Sequence, residues 1–516
     1  MIHTQLIGSI PQLLDRQARE HPDKLAFEDA RQCVNYGELN RATANLAAHL
    51  QATGVGVGDR VAIVLGNSVE WVIACLAIVR IGAIAVPVSV DATSGEIEYR
   101  LSDSAANAVI INDRRLAEVR PLGEKVLAWV VVEGDAIAED ELTFHEAIDN
   151  PSGLPWHDID DVDAAAFLIY TSGTTGKAKG VILSTRSMLW VTAACWVPIA
   201  GLSEHDHILG CLPLYHSYAL NFMVVSVLAV GASIYLMEQY SSSKVAALLA
   251  EERFTVMPGV PTMFHYLLDS VKNGQVQAPK SLRLCLSAGA ILSASVNKEF
   301  EEHFGVKLLD GYGITETSTM VTLNWPHGTR VMGSCGLPIP GICTRIVDPQ
   351  SDEDVALGQE GELLVRGPNL MKGYLNRPEE TASVLRGGWY HTGDLARVDA
   401  SGFLTITGRL KELIIRGGQN IAPAEVEYVV NGCDGVLECA VVGIPHMALG
   451  EVPVAFVVLK PGVALDVERV LAHCRDHLSG YKVPYAIEPV TDIPRTGSGK
   501  VLRFQLREKF QEAGNR

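Results

Sequence analysis

The sequence predicts an α/β fold with a large N-terminal domain of mostly parallel, helix-flanked sheets, a small β-rich subdomain and a small α+β C-terminal domain. Two observations predict it. Up to about residue 400, short apolar runs alternate with helical stretches, which is the pattern of βαβ units. After about Ser334, glycine, proline and short β-like runs replace that alternation. A chain of 516 residues is long enough for several such units.

The N-terminal elements alternate between strand and helix. The strand candidates are residues 61–65, 84–88, 109–111, 253–257, 282–287 and 306–310, the last leading into a glycine-rich turn. The helix candidates are residues 38–53, which Gly54 ends, 68–80, and stretches that begin at Pro261 and Ser293. Ligands of parallel sheets lie at the carboxyl ends of strands, so the turns after these strands are where a site is expected.

The C-terminal part divides into two units. Short strands are predicted in the β-rich subdomain, about 334–408, at 345–347, 362–365 and 403–406. The N-terminal domain then covers 1–408 and a C-terminal domain 409–516, with the boundary at the Gly-Arg-Leu-Lys stretch 408–411. The C-terminal elements are predicted as helices at 423–431 and 467–478 and strands near 438–442 and 454–459.

Composition and charge exclude several classes of protein. Forty-two basic residues against sixty acidic ones give a net charge of -18, which excludes a broad DNA or RNA footprint. The ten cysteines form no C-x-x-C pair, which is typical of packing cysteines in a reduced, cytoplasmic protein. Residues 1–5 lack the start of a secretory signal. The apolar runs 71–90 and 222–237 are expected to be buried helix followed by buried strand. Peripheral membrane contact and a homodimer stay open.

A loop rich in glycine, threonine and lysine follows the strand candidate 166–170. Residues 171–180 hold three glycines, four hydroxyl residues and two lysines. Glycines let backbone N–H groups approach an anion, hydroxyls add donors and lysine adds charge, so the loop is expected to bind phosphate. A Walker A loop needs four residues between its glycines and a hydroxyl after its lysine. Only two residues separate Gly173 from Gly176, and Ala178 follows Lys177, which disfavours a P-loop kinase or GTPase.

The segment Tyr-Thr-Ser-Gly-Thr-Thr-Gly-Lys-x-Lys-Gly-Val at 170–181 resembles the signature of the AMP-forming adenylate enzymes. That family includes acyl-CoA synthetases, adenylation domains of peptide synthetases and firefly-type luciferases. Ala178 stands where proline is most common. The resemblance implies that ATP phosphates are held by Thr171, Ser172, Gly173, Thr174, Thr175, Gly176, Lys177 and Lys179.

Further segments at 287–290, 311–316, 390–394, 408–411 and 494–500 follow in the order of the same family. Glycines at 311 and 313 let a flat adenine approach the backbone, and Tyr312 offers it an aromatic face. Glu316 is a hard oxygen ligand that suits Mg²⁺, and Asp394 can accept two hydrogen bonds from ribose hydroxyls. The resemblance implies a nucleotide site of Gly289, Ala290, Asp310, Gly311, Tyr312, Gly313, Thr315, Asp394, Ile406 and Arg409, with Thr315 on the α-phosphate and Glu316 on Mg²⁺.

Lys500 follows a Gly-Ser-Gly loop near the end of the sequence. Alone, it would be read as a solvated loop lysine. In the family motif this lysine lies between the substrate carboxylate and the α-phosphate, where a positive charge stabilises the transition state. The resemblance therefore implies that Lys500 is the principal catalytic side chain, with Thr315 and Glu316.

The resemblance also implies two half-reactions and a mobile C-terminal domain. Acyl-adenylate forms first with release of pyrophosphate, and the acyl group then passes to the thiol of coenzyme A. The family hinge falls on Lys411, and Gly417 and Gly418 match the loop that lines the pantetheine tunnel. Gln419 stands where acyl-CoA synthetases commonly have glutamate, and Glu412 where many have aspartate.

The acid substrate is expected to be hydrophobic. His216 resembles the histidine that acyl-CoA synthetases carry beside the acyl site, and Asn221, Gly289, Gly313 and Met320 are the other pocket candidates. No acidic residue lies between 211 and 231 to bind an amino-acid ammonium. A medium- or long-chain fatty acid is the first expectation, and an aryl acid stays open. The alternatives are an enzyme that loads a carrier-protein pantetheine, a non-catalytic adenylate-binding protein and, formally, a luciferase.

Overall fold

A computed structural model describes residues 1–122, 126, 128–132, 134, 141–149, 153–171, 178–272, 279–417, 419–495 and 501–514, the last four of them without their side chains. In residues 1–171 the strands are β1 (Leu25–Glu28), β2 (Cys33–Asn35), β3 (Arg60–Val64), β4 (Ile84–Val88), β5 (Ala108–Asn112), β6 (Ala128–Val132), β7 (Glu141–Thr143) and β8 (Ala165–Thr171). The helices are α1 (Ile10–Glu20), α2 (Tyr36–Ala52), α3 (Val69–Arg80), α4 (Ser94–Ser104), α5 (Asp113–Val119) and α6 (Phe144–Asp149).

The middle of the chain carries the remaining strands of the large sheets and the β-rich segment. Its strands are β9 (Lys179–Ser184), β10 (His207–Gly210), β11 (Ser233–Leu236), β12 (Val256–Gly259), β13 (Leu284–Ser287), β14 (Lys307–Tyr312), β15 (Thr322–Leu323), β16 (Leu337–Pro338), β17 (Cys343–Val347), β18 (Gly361–Arg366), β19 (Gly373–Tyr374), β20 (Leu385–Arg386), β21 (Trp389–Val398) and β22 (Leu404–Arg409). Its helices are α7 (Thr185–Val191), α8 (Ser217–Ala219), α9 (Ser226–Val230), α10 (Ser242–Leu249), α11 (Pro261–Lys272), α12 (Ala294–Phe304) and α13 (Pro378–Val384). Two π-helical segments, Thr192–Trp196 and Leu220–Val225, interrupt the helical stretches.

The C-terminal part forms a separate sheet with three helices. Its elements are β23 (Ile414–Arg416), β24 (Gln419–Ile421), α14 (Pro423–Asn431), β25 (Val436–His446), β26 (Gly450–Leu459), α15 (Val467–His477), β27 (Ala486–Pro489) and α16 (Arg503–Gly514). The sheet order is β24-β23-β26-β25, and β27 also pairs with β26. The pairs are antiparallel except for β26 with β27.

Two large sheets make up the N-terminal domain, with orders β16-β15-β14-β13-β12-β10-β11-β1-β2 and β19-β9-β8-β4-β3-β5-β6-β7. Both are parallel in their interior and antiparallel at one or both ends. All residues of α3 except Glu70 are buried, and its side chains join one core with residues of both sheets. A buried helix that is apolar all round fits such a place between layers. The predicted α/β fold with mostly parallel, helix-flanked sheets is therefore confirmed.

Several predicted strand boundaries were wrong by two residues or more. The strand predicted at 253–257 begins only at Val256, three residues later than predicted. The glycine-rich turn predicted after 310 is still strand, since Gly311 and Tyr312 pair with Leu323 and Thr322. A Cβ on Gly311 would lie 2.4 Å from Met320 Cε, so glycine is what permits this close pairing.

The β-rich segment contributes to three sheets. Four of its strands form the antiparallel order β17-β18-β21-β20, with β22 on β21. Its short strands β16 and β19 instead pair with β15 and β9 of the two large sheets. The segment is thus bound to both layers of the N-terminal domain. In the described ranges, no helix combines the length and apolarity that crossing a membrane requires.

Candidate active site

The carboxyl ends of β13 and β14 lie side by side, with Ser287 paired to Asp310. Beyond β14 the chain folds back tightly. A Cβ on Gly313 would lie 1.5 Å from the carbonyl oxygen of Thr319, so no other residue fits there. Thr319 itself has a φ of 106°, a strained conformation for a β-branched residue. Such strain is typical of functional turns, and the segment 311–320 lies at the strand end where the sequence predicted a nucleotide.

Tyr312, Asp394 and Arg409 form one hydrogen-bonded group. The Tyr312 hydroxyl donates to Asp394 Oδ2 at 2.5 Å, and Arg409 Nε lies 2.9 Å from Asp394 Oδ1. The β21–β22 pairing sets Asp394 opposite Arg409. Three of the predicted nucleotide residues, which are far apart in sequence, are therefore brought together. Asp394 is buried, whereas the Arg409 side chain keeps about a third of its surface accessible (34%).

The turn before Asp394 is held by Glu362 of β18. Glu362 Oε1 accepts the Gly393 N–H at 3.0 Å, and its Oε2 lies 3.2 Å from His391 Nδ1. Both Glu362 and His391 are buried. With the exposed Asp352 they have the spacing of metal ligands, but both carboxylate oxygens of Glu362 are already engaged within the protein. We therefore assign Glu362 a structural role in positioning Asp394.

Glu316 follows Thr315 in a short 3-10 turn, Thr315–Thr317, at the same edge. The Tyr374 hydroxyl donates to Glu316 Oε1 at 2.9 Å. Loss of hydration raises the pKa of Glu316, a shift that the hydrogen bond from Tyr374 opposes. A desolvated carboxylate is stabilised by a nearby cation, and its hard oxygen atoms suit Mg²⁺. The surroundings of Glu316 therefore fit the predicted metal role, with Tyr374 as a neighbour that sequence reasoning missed.

Lys179, at the start of β9, is held by α13. It forms an ion pair with Glu380, and its Nζ lies 5.1 Å above the centre of the Tyr374 ring. Glu380 also pairs with Arg377 at 2.9 Å. This arrangement places the one described lysine of the phosphate loop within the same neighbourhood as Glu316. Sequence reasoning also missed Glu380, because nothing in its local sequence indicates a partner two hundred residues away.

Asp310 is the buried acid of the site. Its Oδ1 has no hydrogen-bond partner among the described residues, and burial raises the pKa of its carboxyl well above the usual range. The hydroxyl of the neighbouring Ser287 is likewise buried and unpartnered within the described parts. Buried polar atoms without partners are costly, and these two lie side by side at the strand ends. They are therefore candidates for hydrogen bonding to a ligand.

The predicted acyl pocket residues differ in their surroundings. Burial lowers the pKa of His216 to about 4, and its Nε2 has no partner in the described structure. Asn221 is fully buried and its amide is engaged, accepting from Trp196 Nε1 at 2.7 Å and donating to the Met188 carbonyl at 2.8 Å. Tyr218 stacks on Trp196 and donates to the Leu286 carbonyl at 3.2 Å. Asn221 thus supports the aromatic wall, and Tyr218 is a wall residue that the sequence analysis did not select.

The remaining predicted residues are spread around this edge. Gly289 has a φ of 89° and, with Ala290, is exposed. Thr315 Oγ1 lies 3.2 Å from Ser217 Oγ, and Ile406 packs against the main core. Lys411 lies in the 3-10 turn Leu410–Glu412, and the Gly417 N–H donates to the Leu449 carbonyl at 2.7 Å. Several predicted residues lie outside the described residues: Ser172, Gly173, Thr174, Thr175, Gly176, Lys177, Gly418 and Lys500.

Family descriptions match most of the chain. The AMP-binding enzyme family matches residues 14–375, and the AMP-binding enzyme C-terminal domain matches residues 425–500. The chain is 36% identical over 510 residues to a feruloyl-CoA synthase from an Amycolatopsis species, covering 99% of this chain and 100% of that protein. It is 32% identical to a long-chain-fatty-acid–CoA ligase from Bacillus subtilis strain 168, covering 98% and 95%.

Solved structures share the architecture over the whole length. An anthranilate CoA ligase in complex with anthranoyl-AMP superposes with a TM-score of 0.91 at 28% identity, covering 100% of both chains. ATP-bound MatB from Rhodopseudomonas palustris superposes with a TM-score of 0.88 at 32% identity, covering 98% of this chain and 99% of the other. The sheets of the N-terminal domain and the C-terminal sheet are therefore both shared with proteins solved with a bound nucleotide.

Proposed function

We propose that this chain, which belongs to the AMP-binding enzyme family, activates a hydrophobic carboxylic acid in the cleft at the ends of β13 and β14. It is an AMP-forming acyl-CoA ligase that uses ATP and CoA. The observation that carries the placement is the group of Tyr312, Asp394 and Arg409. It combines an aromatic ring, a buried carboxylate and a guanidinium at one strand edge.

The nucleoside is expected to bind across that group. Asp394 would accept the ribose hydroxyls, and Tyr312 would offer its ring to the adenine. Asp310 presents an unpartnered buried oxygen at the same edge, which suits an exocyclic amine as donor. The contact with Asp310 would give its Oδ1 a partner that the described protein does not supply. The phosphates would then run toward Lys179 and the loop 172–177.

The first half-reaction is a displacement at phosphorus. A carboxylate oxygen of the acid bonds to the α-phosphorus, and the bond to the β-phosphate bridging oxygen breaks, releasing pyrophosphate. Positioning and electrostatic stabilisation dominate such a step. We propose that Thr315 binds the α-phosphate and that Lys500 holds the two reacting anions together. In the second half-reaction the thiol sulfur of CoA bonds to the acyl carbon, and AMP leaves.

Glu316 is the residue that we expect to hold Mg²⁺. A bound Mg²⁺ would neutralise part of the phosphate charge. The protein side of this arrangement is Tyr374, whose hydroxyl orients one oxygen of Glu316. Lys179 adds a positive charge nearby, and its pairing with Glu380 keeps it close to Tyr374. These residues would bind and orient the phosphates. The bonds that form and break all lie within the two substrates.

Two kinds of hydrophobic acid are candidates. A medium- or long-chain fatty acid is the first expectation from the apolar pocket residues, and one relative is named a long-chain-fatty-acid–CoA ligase. An aryl acid is the second candidate, because Tyr218 and Trp196 form a stacked aromatic wall beside β13. A feruloyl-CoA synthase and an anthranilate CoA ligase are among the similar proteins. His216 would stay neutral beside either acid.

The C-terminal part would turn about Lys411 between the half-reactions. The 3-10 turn Leu410–Glu412 is where the chain leaves β22 for the separate C-terminal sheet, so a rotation there moves that sheet as one body. In the thioester-forming arrangement, the loop at Gly417 and Gly418 would line the path of the pantetheine arm.

The test is pyrophosphate release with a panel of acids, with and without CoA. Octanoate, palmitate, benzoate and ferulate cover the two candidate classes, and acyl-CoA is followed by chromatography. We expect release with a hydrophobic acid and acyl-CoA only when CoA is present. Release with none of these acids would contradict the proposed substrate class. Release followed by transfer only to a carrier protein would indicate a loading enzyme instead.

A further inference from the structure

The linker between the two domains lies between two ion pairs. On its N-terminal side, Arg409 ends β22 and lies 2.9 Å from Asp394 of β21. On its C-terminal side, Glu412 Oε2 lies 3.0 Å from Arg503 Nη1 at the start of α16. Only Leu410 and Lys411 separate the two paired residues. The backbone can therefore turn without breaking either pair only within these two residues.

Arg503 is anchored firmly in the C-terminal part. Its Nη2 lies 2.7 Å from Glu427 of α14, and its Nε donates to the Val441 carbonyl of β25 at 3.2 Å. Glu427 in turn accepts the Val441 N–H at 2.8 Å. The guanidinium thus connects Glu412 to a helix and a strand at once. A lysine has a single ammonium and cannot hold three such partners in one plane.

We propose that the Arg503–Glu412 pair makes residue 412 part of the C-terminal body and so restricts the pivot to Leu410 and Lys411. This inference rests on the proposed domain rotation. Arg503 and Glu412 are positioning residues, since neither is placed at the reacting atoms. Without the pair, residue 412 could turn as well as Leu410 and Lys411. The C-terminal part would then reach each of its two arrangements, one for each half-reaction, less often.

Accessibility of the linker to trypsin tests the proposal without any substrate. Cleavage after Arg409 or Lys411, identified by mass spectrometry, tracks how often the linker opens. Loss of the charged contact between Glu412 and Arg503 is expected to speed this cleavage about tenfold in Glu412→Gln. Arg503→Gln should speed it at least as much, because it also loses the contacts with Glu427 and Val441. The double variant should be cleaved no faster than Arg503→Gln alone, because that variant already lacks the pair.

Arg507→Gln is the matched control. Arg507 lies one turn further along α16 and pairs with Glu451 of β26 at 3.6 Å, so this variant removes one charge from the same helix and leaves the Glu412–Arg503 pair intact. It should leave linker cleavage within about twofold of the parent. Unchanged cleavage in both linker variants, or the same acceleration in the Arg507 variant, would overturn the proposal.

The half-reactions supply a second readout. Glu412→Gln and Arg503→Gln should each lower kcat for pyrophosphate release and kcat for thioester formation by about tenfold, while KM for ATP stays within about twofold. Apart from Lys500, the proposed nucleotide contacts lie before the linker, so ATP binding should change little. Arg503→Lys should give intermediate rates. Faster cleavage with unchanged rates of both half-reactions would show that the pair has no role in catalysis and would overturn the proposal. Absence of turnover in the parent enzyme would count only against the proposed acid substrate.

Discussion

Replacement of Asp394 by asparagine separates its two proposed roles, which are to hold Tyr312 and Arg409 and to bind the ribose. Asparagine keeps the size of the side chain but removes its charge and one of its two acceptor oxygens. In the parent, one oxygen accepts from Tyr312 at 2.5 Å and the other lies 2.9 Å from Arg409 Nε. The variant can accept well from only one of them.

The expected loss of stability follows from those two contacts. A hydrogen bond to a charged group contributes about 1.5–3 kcal/mol. Arg409 keeps 34% of its side-chain surface accessible, so solvent screening reduces its share. We expect Asp394→Asn to lower the free energy of unfolding of the N-terminal domain by about 2–3 kcal/mol. The measurement is the urea midpoint of that domain without nucleotide.

The expected loss of ATP binding is measured separately. A carboxylate that accepts both ribose hydroxyls would be replaced by a group with one acceptor, and we expect KM for ATP to rise about 10- to 100-fold. Asp399→Asn is the control, because Asp399 accepts two backbone N–H groups in the turn of the same hairpin and is exposed. A variant that loses stability but keeps its KM for ATP would refute the ribose role of Asp394.

Three further predictions concern the linker and the acyl pocket. Lys411→Pro should spare pyrophosphate release and suppress thioester formation, since proline fixes φ at the pivot; equal loss of both would exclude a hinge at this residue. Asn221→Ala should lower the free energy of unfolding by about 2–4 kcal/mol, because the Trp196 indole N–H and the Met188 carbonyl lose a buried partner; an unchanged urea midpoint would show that water replaces the amide. Burial lowers the pKa of His216 to about 4, so between pH 6.5 and 4 the unfolded chain takes up a proton there and the folded protein does not. The His216 contribution to the free energy of unfolding is therefore complete above pH 6.5 and falls by about 3 kcal/mol as the pH drops to 4. His216→Gln should remove that part of the pH dependence of stability, and identical pH profiles would contradict it.

Much of the fold could be predicted from local sequence. The strand at 84–88 and the helix at 423–431 were predicted with the boundaries that the structure shows. Both have strong local signals: an apolar run ended by turn residues in one case, and proline at the first helical position in the other. The pattern of apolar residues defines the ends of a strand less well, and the strand predicted at 253–257 begins only at Val256.

The support of the candidate site could not be predicted in the same way. Tyr374 lies in a strand of two residues that pairs with β9, nearly two hundred residues earlier in the chain. A strand so short has no periodicity to recognise, and its hydrogen bond to Glu316 depends wholly on the tertiary fold. The same holds for Glu380 and Lys179. Motif spacing predicted which residues should meet a ligand, whereas long-range packing decides what holds those residues in place.

The electrostatics of the candidate site suggest how an acidic chain would bind a highly charged nucleotide. The chain carries a net charge of -18, and two of its acids, Asp310 and Glu316, lie desolvated at one strand edge with raised pKa values. Neither is neutralised by a close ion pair among the described residues, so each costs stability in the free enzyme. Such a cost is expected where a ligand supplies the missing partner. An adenine amine would donate to Asp310, and Mg²⁺ that accompanies ATP would offset the charge of Glu316. Nucleotide without a divalent cation should therefore bind less tightly than the metal complex.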